Sequence, residues 1–182
     1  MIEHVRFTDL LLERILHDLA AHPPERGGAL LSTGGLVHEL VEDTAGEYTG
    51  VEWRISTELT GFVQEAEAKR RGVFIGHVHT HPDGVPDPSG ADLEATANML
   101  HFEVLDDVSG EERVVSNSLL DRLVICVVSR GVPRDTDLAI GDGHRMSVHV
   151  MRRGPRGVGV VERARGSVVP IGADLDAADV GR

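Results

Sequence analysis

The chain has 182 residues, of which 41% are apolar and 3% aromatic, and its formal net charge is −12. This length and apolar content suffice for one compact domain with a hydrophobic core. The negative charge and the shortage of aromatic side chains argue against nucleic acid or an anionic membrane surface as the main partner.

Hydrophobic periodicity predicts an alternation of helices and strands. In chain order, it predicts a helix over 7–21, strands over 27–33, 36–41 and 53–56, a helix over 59–70, a strand over 73–79, a loop over 82–88, a helix from 89 to about 100, and strands over 123–129, 146–151 and 158–161.

Local signals support several of these elements. Thr8 or Asp9 can cap the first helix, and Gly34-Gly35 is a tight-hairpin signal between two strands. The helix over 59–70 is predicted to carry Phe62, Val63 and Ala66 on its apolar side.

The domain organisation follows from the absence of an evident linker or repeat. One α/β domain is predicted over 1–172, followed by an acidic, flexible tail over 173–182. Residues 106–118 are predicted to form a polar excursion or a short hairpin.

The single cysteine and the N-terminal residues indicate in which cellular compartment the protein is expected. Cys126 is the sole cysteine and lies within an apolar run, which favours a buried core residue. Met1–His4 lacks the features of a signal peptide, and no apolar run approaches 18 residues. A cytoplasmic protein is therefore expected.

Charge is unevenly distributed, since basic side chains outnumber acidic ones only after residue 144. Two interpretations stay open. The arginines either belong to ordinary strand faces or form a docking patch for an acidic partner.

Most candidate functional residues lie in the segment 76–92, where GHVHTHP is followed by six residues and then SGAD. His79 and His81 are two residues apart at the end of a predicted strand, so both imidazoles project from one face. Asp92 returns in the first turn of the next helix. Two imidazoles and one carboxylate leave a fourth tetrahedral position open, which suits Zn²⁺ without excluding other divalent metals.

Two further residues complete a hydrolytic site. Ser89 shares a helix face with Asp92 and can stabilise an oxyanion, although the pair also has the outline of a capping box. The two roles are compatible. A zinc hydrolase also needs a general base near the metal, and Glu25, just before the first predicted strand, is the best candidate.

Other chemistries are less well supported. His77 extends the run to H-x-H-x-H, but we interpret it as a neighbour of the site or a surface residue rather than a ligand. One cysteine cannot satisfy the P-C-x-x-C pattern of a zinc deaminase. The sequence contains neither a G-x-S-x-G elbow nor a P-loop.

Taken together, these residues resemble the JAMM motif of the MPN-plus (JAB) metalloprotease family. The family pattern of an upstream glutamate, H-x-H-P, a spacer and S-x-x-D is matched here without a departure in spacing. Gly76 matches the usual G-x-x-H opening. The resemblance covers roughly residues 7–150, and the short, glycine- and arginine-rich chain is similar to prokaryotic members. The matching residues are Glu25, His79, His81, Pro82, Ser89 and Asp92.

The resemblance implies a single MPN (JAB)-type α/β domain, with a mixed central β-sheet flanked by helices in a cytidine-deaminase-like layout. It implies one Zn²⁺ per chain, bound by His79, His81 and Asp92 at a sheet edge. Glu25 would activate water as the general base, and Ser89 would help stabilise the tetrahedral oxyanion.

The resemblance also implies a deubiquitinase-like isopeptidase or peptidase that cleaves at the C-terminus of a ubiquitin-like protein, in maturation or in removal from targets. A bacterial conjugation or antiviral system, with E1/E2-like enzymes as further partners, is one setting. The alternatives are a sulfur-carrier-processing peptidase, a peptidase for short peptides or cell-wall fragments, and a non-catalytic MPN scaffold. Residues 101–118 fall where family members often carry an insertion that grips ubiquitin, although a plain connection is equally compatible.

Overall fold

One large mixed sheet dominates the structure, a computed structural model that describes residues 2–21, 25–48, 53–100, 103–105, 112–114, 122–153 and 159–171. Its strands run in the order β10-β11-β12-β1-β3-β2-β6-β9, and β9 also pairs with β11. The sheet therefore closes on itself like a barrel. Its strands are β1 (His4–Thr8), β2 (Gly27–Thr33), β3 (Leu36–Glu42), β6 (Val73–Thr80), β9 (Arg122–Arg130), β10 (Leu138–Gly141), β11 (His144–Arg153) and β12 (Gly159–Val169).

Helices and two small hairpins complete the described structure. The remaining elements are α1 (Asp9–Arg14), which continues as π-helical turns over Ile15–Ala20, β4 (Glu47–Tyr48), β5 (Trp53–Arg54), α2 (Thr57–Ala68), α3 (Gly90–Leu100), β7 (Glu103–Leu105) and β8 (Glu112–Val114). None of the helices in the described part of the chain combines the length and apolarity needed to cross a membrane.

Strand β9 separates the two parts of the core. Val124, Cys126 and Val128 join the large cluster inside the barrel, together with Leu11 and Leu12 of α1. The alternate residues of β9 belong to a second cluster that also contains Leu93 of α3. Because both faces of β9 are covered, its six consecutive residues 123–128 are all apolar. The predicted buried position of Cys126 is confirmed.

Most predicted elements are present with boundaries shifted by a few residues. The predicted mixed sheet with helices is confirmed, whereas the cytidine-deaminase-like layout stays a prediction. Gly34 and Gly35 have φ angles of +58° and +76°, as a tight hairpin turn requires. The Thr8 hydroxyl accepts a hydrogen bond from the Leu11 N–H at 3.2 Å, so Thr8 is the cap of α1.

Three predictions about elements need correction. Phe7 lies in β1 rather than in the first helix, because all five residues of β1 pair in parallel with β12, and Arg6 and Phe7 also pair in parallel with β3. Strand β10 was not predicted, and β12 extends well beyond residue 161. Phe62 is 49% exposed and does not contribute to the buried side of α2, whereas the predicted Ala66 is buried there together with Leu59.

The segment over 106–118, predicted to be a polar excursion or a short hairpin, contains β8, which pairs antiparallel with β7. Residues 106–111 and 115–118 of that segment, and the predicted tail over 173–182, lie outside the described residues. The function predicted for 101–118 and the domain boundaries therefore stay predictions.

Several arginines of the basic C-terminal part are held in ion pairs on the sheet. This favours ordinary strand faces over a free docking patch. The pairs are Arg145 with Asp137, Arg152 with Glu3, and Arg163 with Asp87.

Gly76 allows β6 and β9 to approach each other closely. Its φ is +153°, and a Cβ atom at this position would lie 1.9 Å from the Val124 carbonyl oxygen. We expect Gly76→Ala to lower the free energy of unfolding by roughly 2–4 kcal/mol, because backbone must move to relieve the clash. Urea denaturation checks this. The control is Gly61→Ala, which adds a methyl group into open space within α2 and should instead stabilise the protein slightly.

Candidate metal centre

His79 and His81 are positioned by the end of β6. His79 lies opposite Val127 of β9, and the pairing of the two parallel strands extends to Thr80. The His81 N–H then donates to the Val128 carbonyl at 2.8 Å, which continues the strand geometry beyond the end of β6. The two Nε2 atoms are 2.9 Å apart, so the prediction that both imidazoles share a face is confirmed.

Asp92 reaches the histidines from the first turn of α3. The Ser89 N–H donates to Asp92 Oδ2 at 2.6 Å, and the Asp92 N–H donates to Ser89 Oγ at 3.2 Å. These reciprocal bonds form a capping box that starts the helix. The two interpretations of this pair are therefore compatible, since the cap itself fixes the carboxylate beside the histidines.

Three possible ligand atoms converge at this point. Asp92 Oδ1 lies 3.3 Å from His79 Nε2, and Asp92 Oδ2 lies 3.2 Å from His81 Nε2. Two ligands of a tetrahedral ion with bonds of ~2.0–2.1 Å are separated by about 3.3 Å. The separations thus fit a zinc-sized ion, and this is the one group of three or more potential ligands found among the described residues.

The electrostatics of His79 and Asp92 favour the protonation states that a metal requires, whereas the raised pKa of His81 means that a metal must displace a proton there. Burial lowers the pKa of His79, so its imidazole is neutral near pH 7. Burial alone would raise the pKa of Asp92, but hydrogen bonds from His79 and His81 lower it well below its usual range. Burial also lowers the pKa of His81, but the hydrogen bond and charge of Asp92 and the charge of Glu25 outweigh it and raise this pKa. A neutral imidazole and an ionised carboxylate are the forms that coordinate.

Glu25 is held close to the histidines by the backbone that follows it. The Arg26 N–H donates to Thr80 Oγ1 at 2.8 Å, and the Thr80 N–H donates to the Arg26 carbonyl at 2.8 Å. Thr80 lies between His79 and His81, and Glu25 itself is only 6% exposed. The residue predicted as the general base is thus buried beside the candidate ligands, whereas Ser89 is exposed at the start of α3.

The structure adds two further features to the candidate site. The first is His77, which is 4% exposed and stacks on His79 with ring centroids 5.6 Å apart. Its placement as a neighbour of the site is confirmed, and the surface alternative is wrong. Burial and the proximity of His79 lower the pKa of His77 to about 3.

The second is an ionic anchor for the loop over 82–88. Asp87 accepts hydrogen bonds from Arg134 at 3.0 and 3.2 Å and also from Arg163, while the Ser147 hydroxyl donates to the loop backbone. The hydrogen bond from Arg134 lowers the pKa of Asp87, so its carboxylate is ionised at neutral pH. The loop that joins His81 to Asp92 is therefore tied to the sheet at its far end.

Loosening this anchor should weaken metal binding. We expect Asp87→Asn to lower the affinity for Zn²⁺ roughly tenfold, since partners outside the ligand shell typically contribute 10–100-fold. Competition with a chromophoric chelator measures the change. Asp83→Asn alters an exposed acid of the same loop and should leave the affinity unchanged. Equal affinities of the two variants would contradict a positioning role for Asp87.

Two solved structures align with most of this chain, and the first of them agrees with the fold. A solution structure from Desulfitobacterium hafniense is similar, with a TM-score of 0.57 and 15% identity over 91% of this chain and 92% of that one. A JAB1/MPN domain protein from Archaeoglobus fulgidus aligns with a TM-score of 0.40 and 16% identity over 90% of this chain and 98% of that one.

Sequence comparison gives the family. No curated protein matches the chain at a significant level. The family model of prokaryotic homologs of the JAB domain matches residues 8–133, which is more than half of the chain and includes every candidate site residue. The chain therefore belongs to the prokaryotic homologs of the JAB domain.

Proposed function

We propose that the protein is a zinc-dependent peptidase or isopeptidase. The observation that supports this most directly is the convergence of His79, His81 and Asp92, with the buried Glu25 beside them. The JAB domain family includes zinc metalloproteases, so a complete ligand set in this chain supports hydrolysis rather than a purely structural function.

In this proposal, His79, His81 and Asp92 bind one Zn²⁺ per chain. The ion supplies Lewis acidity that polarises a carbonyl group and makes water more acidic. The remaining chemistry belongs to the side chains of the protein, and it needs a proton acceptor and a donor to the developing oxyanion.

Glu25 is the proposed proton acceptor. Its carboxylate takes one proton from the attacking water, while the water oxygen forms a bond to the carbonyl carbon. The C–N bond then breaks as Glu25 returns that proton to the leaving nitrogen. In this proposal, the Ser89 hydroxyl donates to the carbonyl oxygen while negative charge develops there, and the Ser89 oxygen continues to accept the cap hydrogen bond from the Asp92 N–H.

The proposed substrate is the C-terminal tail of a ubiquitin-like protein, either as a precursor or joined to a target. Support comes from the family and from the exposure of Ser89 and Gly90 at the start of α3, which leaves the site open to an extended chain. A cytoplasmic location and E1/E2-like partners belong to the same proposal.

A substrate trap tests this proposal. Glu25→Ala should bind zinc and substrate without cleavage, and Asp92→Ala should bind neither well. Proteins that co-purify with each variant from cells of the source organism are identified by mass spectrometry. Enrichment of a small ubiquitin-like protein or its conjugates with Glu25→Ala alone supports the proposal. Large partners retained equally by both variants would instead favour a scaffold.

A further inference from the structure

His77 is a buried polar residue for which the proposed chemistry has no use. It lies two residues before His79, on the face of β6 that α3 covers, and its ring stacks on that of His79. A buried imidazole costs free energy unless its nitrogen atoms have hydrogen-bond partners. The partner of one of these atoms indicates what His77 does.

His77 is connected to Asp92 through one side chain of α3. His77 Nε2 lies 2.9 Å from Thr96 Oγ1, and the Thr96 hydroxyl donates to the Asp92 carbonyl oxygen at 2.7 Å. A hydroxyl group has only one proton to donate. Since Thr96 uses that proton on Asp92, His77 Nε2 must carry a proton and donate it to Thr96.

This chain of hydrogen bonds links the two elements that carry the candidate ligands. It starts on β6, which holds His79, and ends on the backbone of Asp92 in α3. Thr96 is fully buried, so water does not compete for either bond. Among the described side chains of α3, Leu93 and Ala97 pack against the second apolar cluster and are partly buried. Apolar contacts of this kind are not directional, whereas two short hydrogen bonds fix how far α3 can slide or rotate.

We propose that His77 and Thr96 are positioning residues, which hold Asp92 at coordination distance from His79 and His81. This inference rests on the proposed metal site, although not on its substrate. His77 is thereby assigned to the support of the site rather than to the coordination of the metal.

Matched substitutions separate hydrogen bonding from packing. Thr96→Val keeps the shape of the side chain and removes the hydroxyl, while Thr96→Ser keeps the hydroxyl. In the same way, His77→Leu removes the donor, while His77→Gln places an amide N–H near the position of Nε2. Affinity for Zn²⁺ is measured by chelator competition, and the visible spectrum of the Co²⁺-loaded protein reports the ligand geometry.

We expect Thr96→Val and His77→Leu each to weaken Zn²⁺ binding about 10- to 100-fold and to alter the Co²⁺ bands. Thr96→Ser and His77→Gln should remain close to the wild type. The double variant His77→Leu/Thr96→Val should be no weaker than either single variant, because both remove the same connection.

Two results would overturn the inference. One is wild-type affinity and an unchanged Co²⁺ spectrum in Thr96→Val. The other is equal weakening in Thr96→Val and Thr96→Ser, which would make the effect one of packing. If a variant at one position fails to fold, as judged by circular dichroism, the two matched variants at the other position test the inference. Failure of the wild-type protein to bind Zn²⁺ would contradict the proposed function itself.

Discussion

Asp92→Asn should reduce the zinc content of the protein from about one ion per chain to near zero. Removal of the carboxylate charge leaves two neutral imidazoles and an amide, which is a poor ligand for Zn²⁺. The amide oxygen can still accept the hydrogen bond from the Ser89 N–H, so the capping box and α3 should be preserved. The affinity for Zn²⁺ should fall more than 100-fold, which exceeds the usual effect of removing a residue that only hydrogen-bonds a metal ligand.

Metal analysis by mass spectrometry and chelator competition measure this effect. Asp92→Ala removes both the ligand and the hydrogen bond from the Ser89 N–H, and should therefore also lower the free energy of unfolding by ~0.5–1.5 kcal/mol. Glu94→Gln is the control, since it changes an exposed carboxylate two residues away on the same helix. Zinc retained by Asp92→Asn at the wild-type level would show that Asp92 is not a ligand.

The fold could be predicted where its signals are local. The strand β9 is evident from a run of apolar residues, and the hairpin between β2 and β3 from Gly34-Gly35. Strand β1 has only five residues, and its partner β12 begins about 150 residues later in the sequence. No local pattern encodes such a pairing, so neither β1 nor the closure of the sheet could be predicted.

The candidate site shows the same division. The alternation of side chains along a strand places His79 and His81 on one face, and the spacing from Ser89 to Asp92 is that of a capping box. The ligand set could therefore be predicted. The partners that hold this set come from elsewhere in the chain. Thr96 contacts His77 across 19 positions, and Arg134 reaches Asp87 across 47. These contacts depend on tertiary packing, so local sequence patterns do not predict them. The one available signal was Asp87, an acidic residue between two prolines of the loop over 82–88.

Glu25→Gln should abolish turnover while leaving zinc binding intact. An amide cannot accept the proton of the attacking water, and a general base typically contributes 10²–10⁴-fold to the rate. We therefore expect kcat to fall by about that factor. Glutamine has nearly the same volume, so the buried position before β2 should tolerate it.

A ubiquitin-like substrate captured by the trap, or a peptide that copies its C-terminus, gives the assay. Glu42→Gln is the control, because it neutralises a carboxylate that pairs with Arg26, the residue next to Glu25. It should retain wild-type kcat, and zinc content should be equal in all three proteins. If Glu25→Gln binds zinc and turns over at the wild-type rate, Glu25 is not the base. If activity and zinc were lost together, Glu25 would instead contribute to metal binding. Only the combination of full metal loading and lost turnover separates proton transfer from coordination, since both depend on carboxylates within the same small volume.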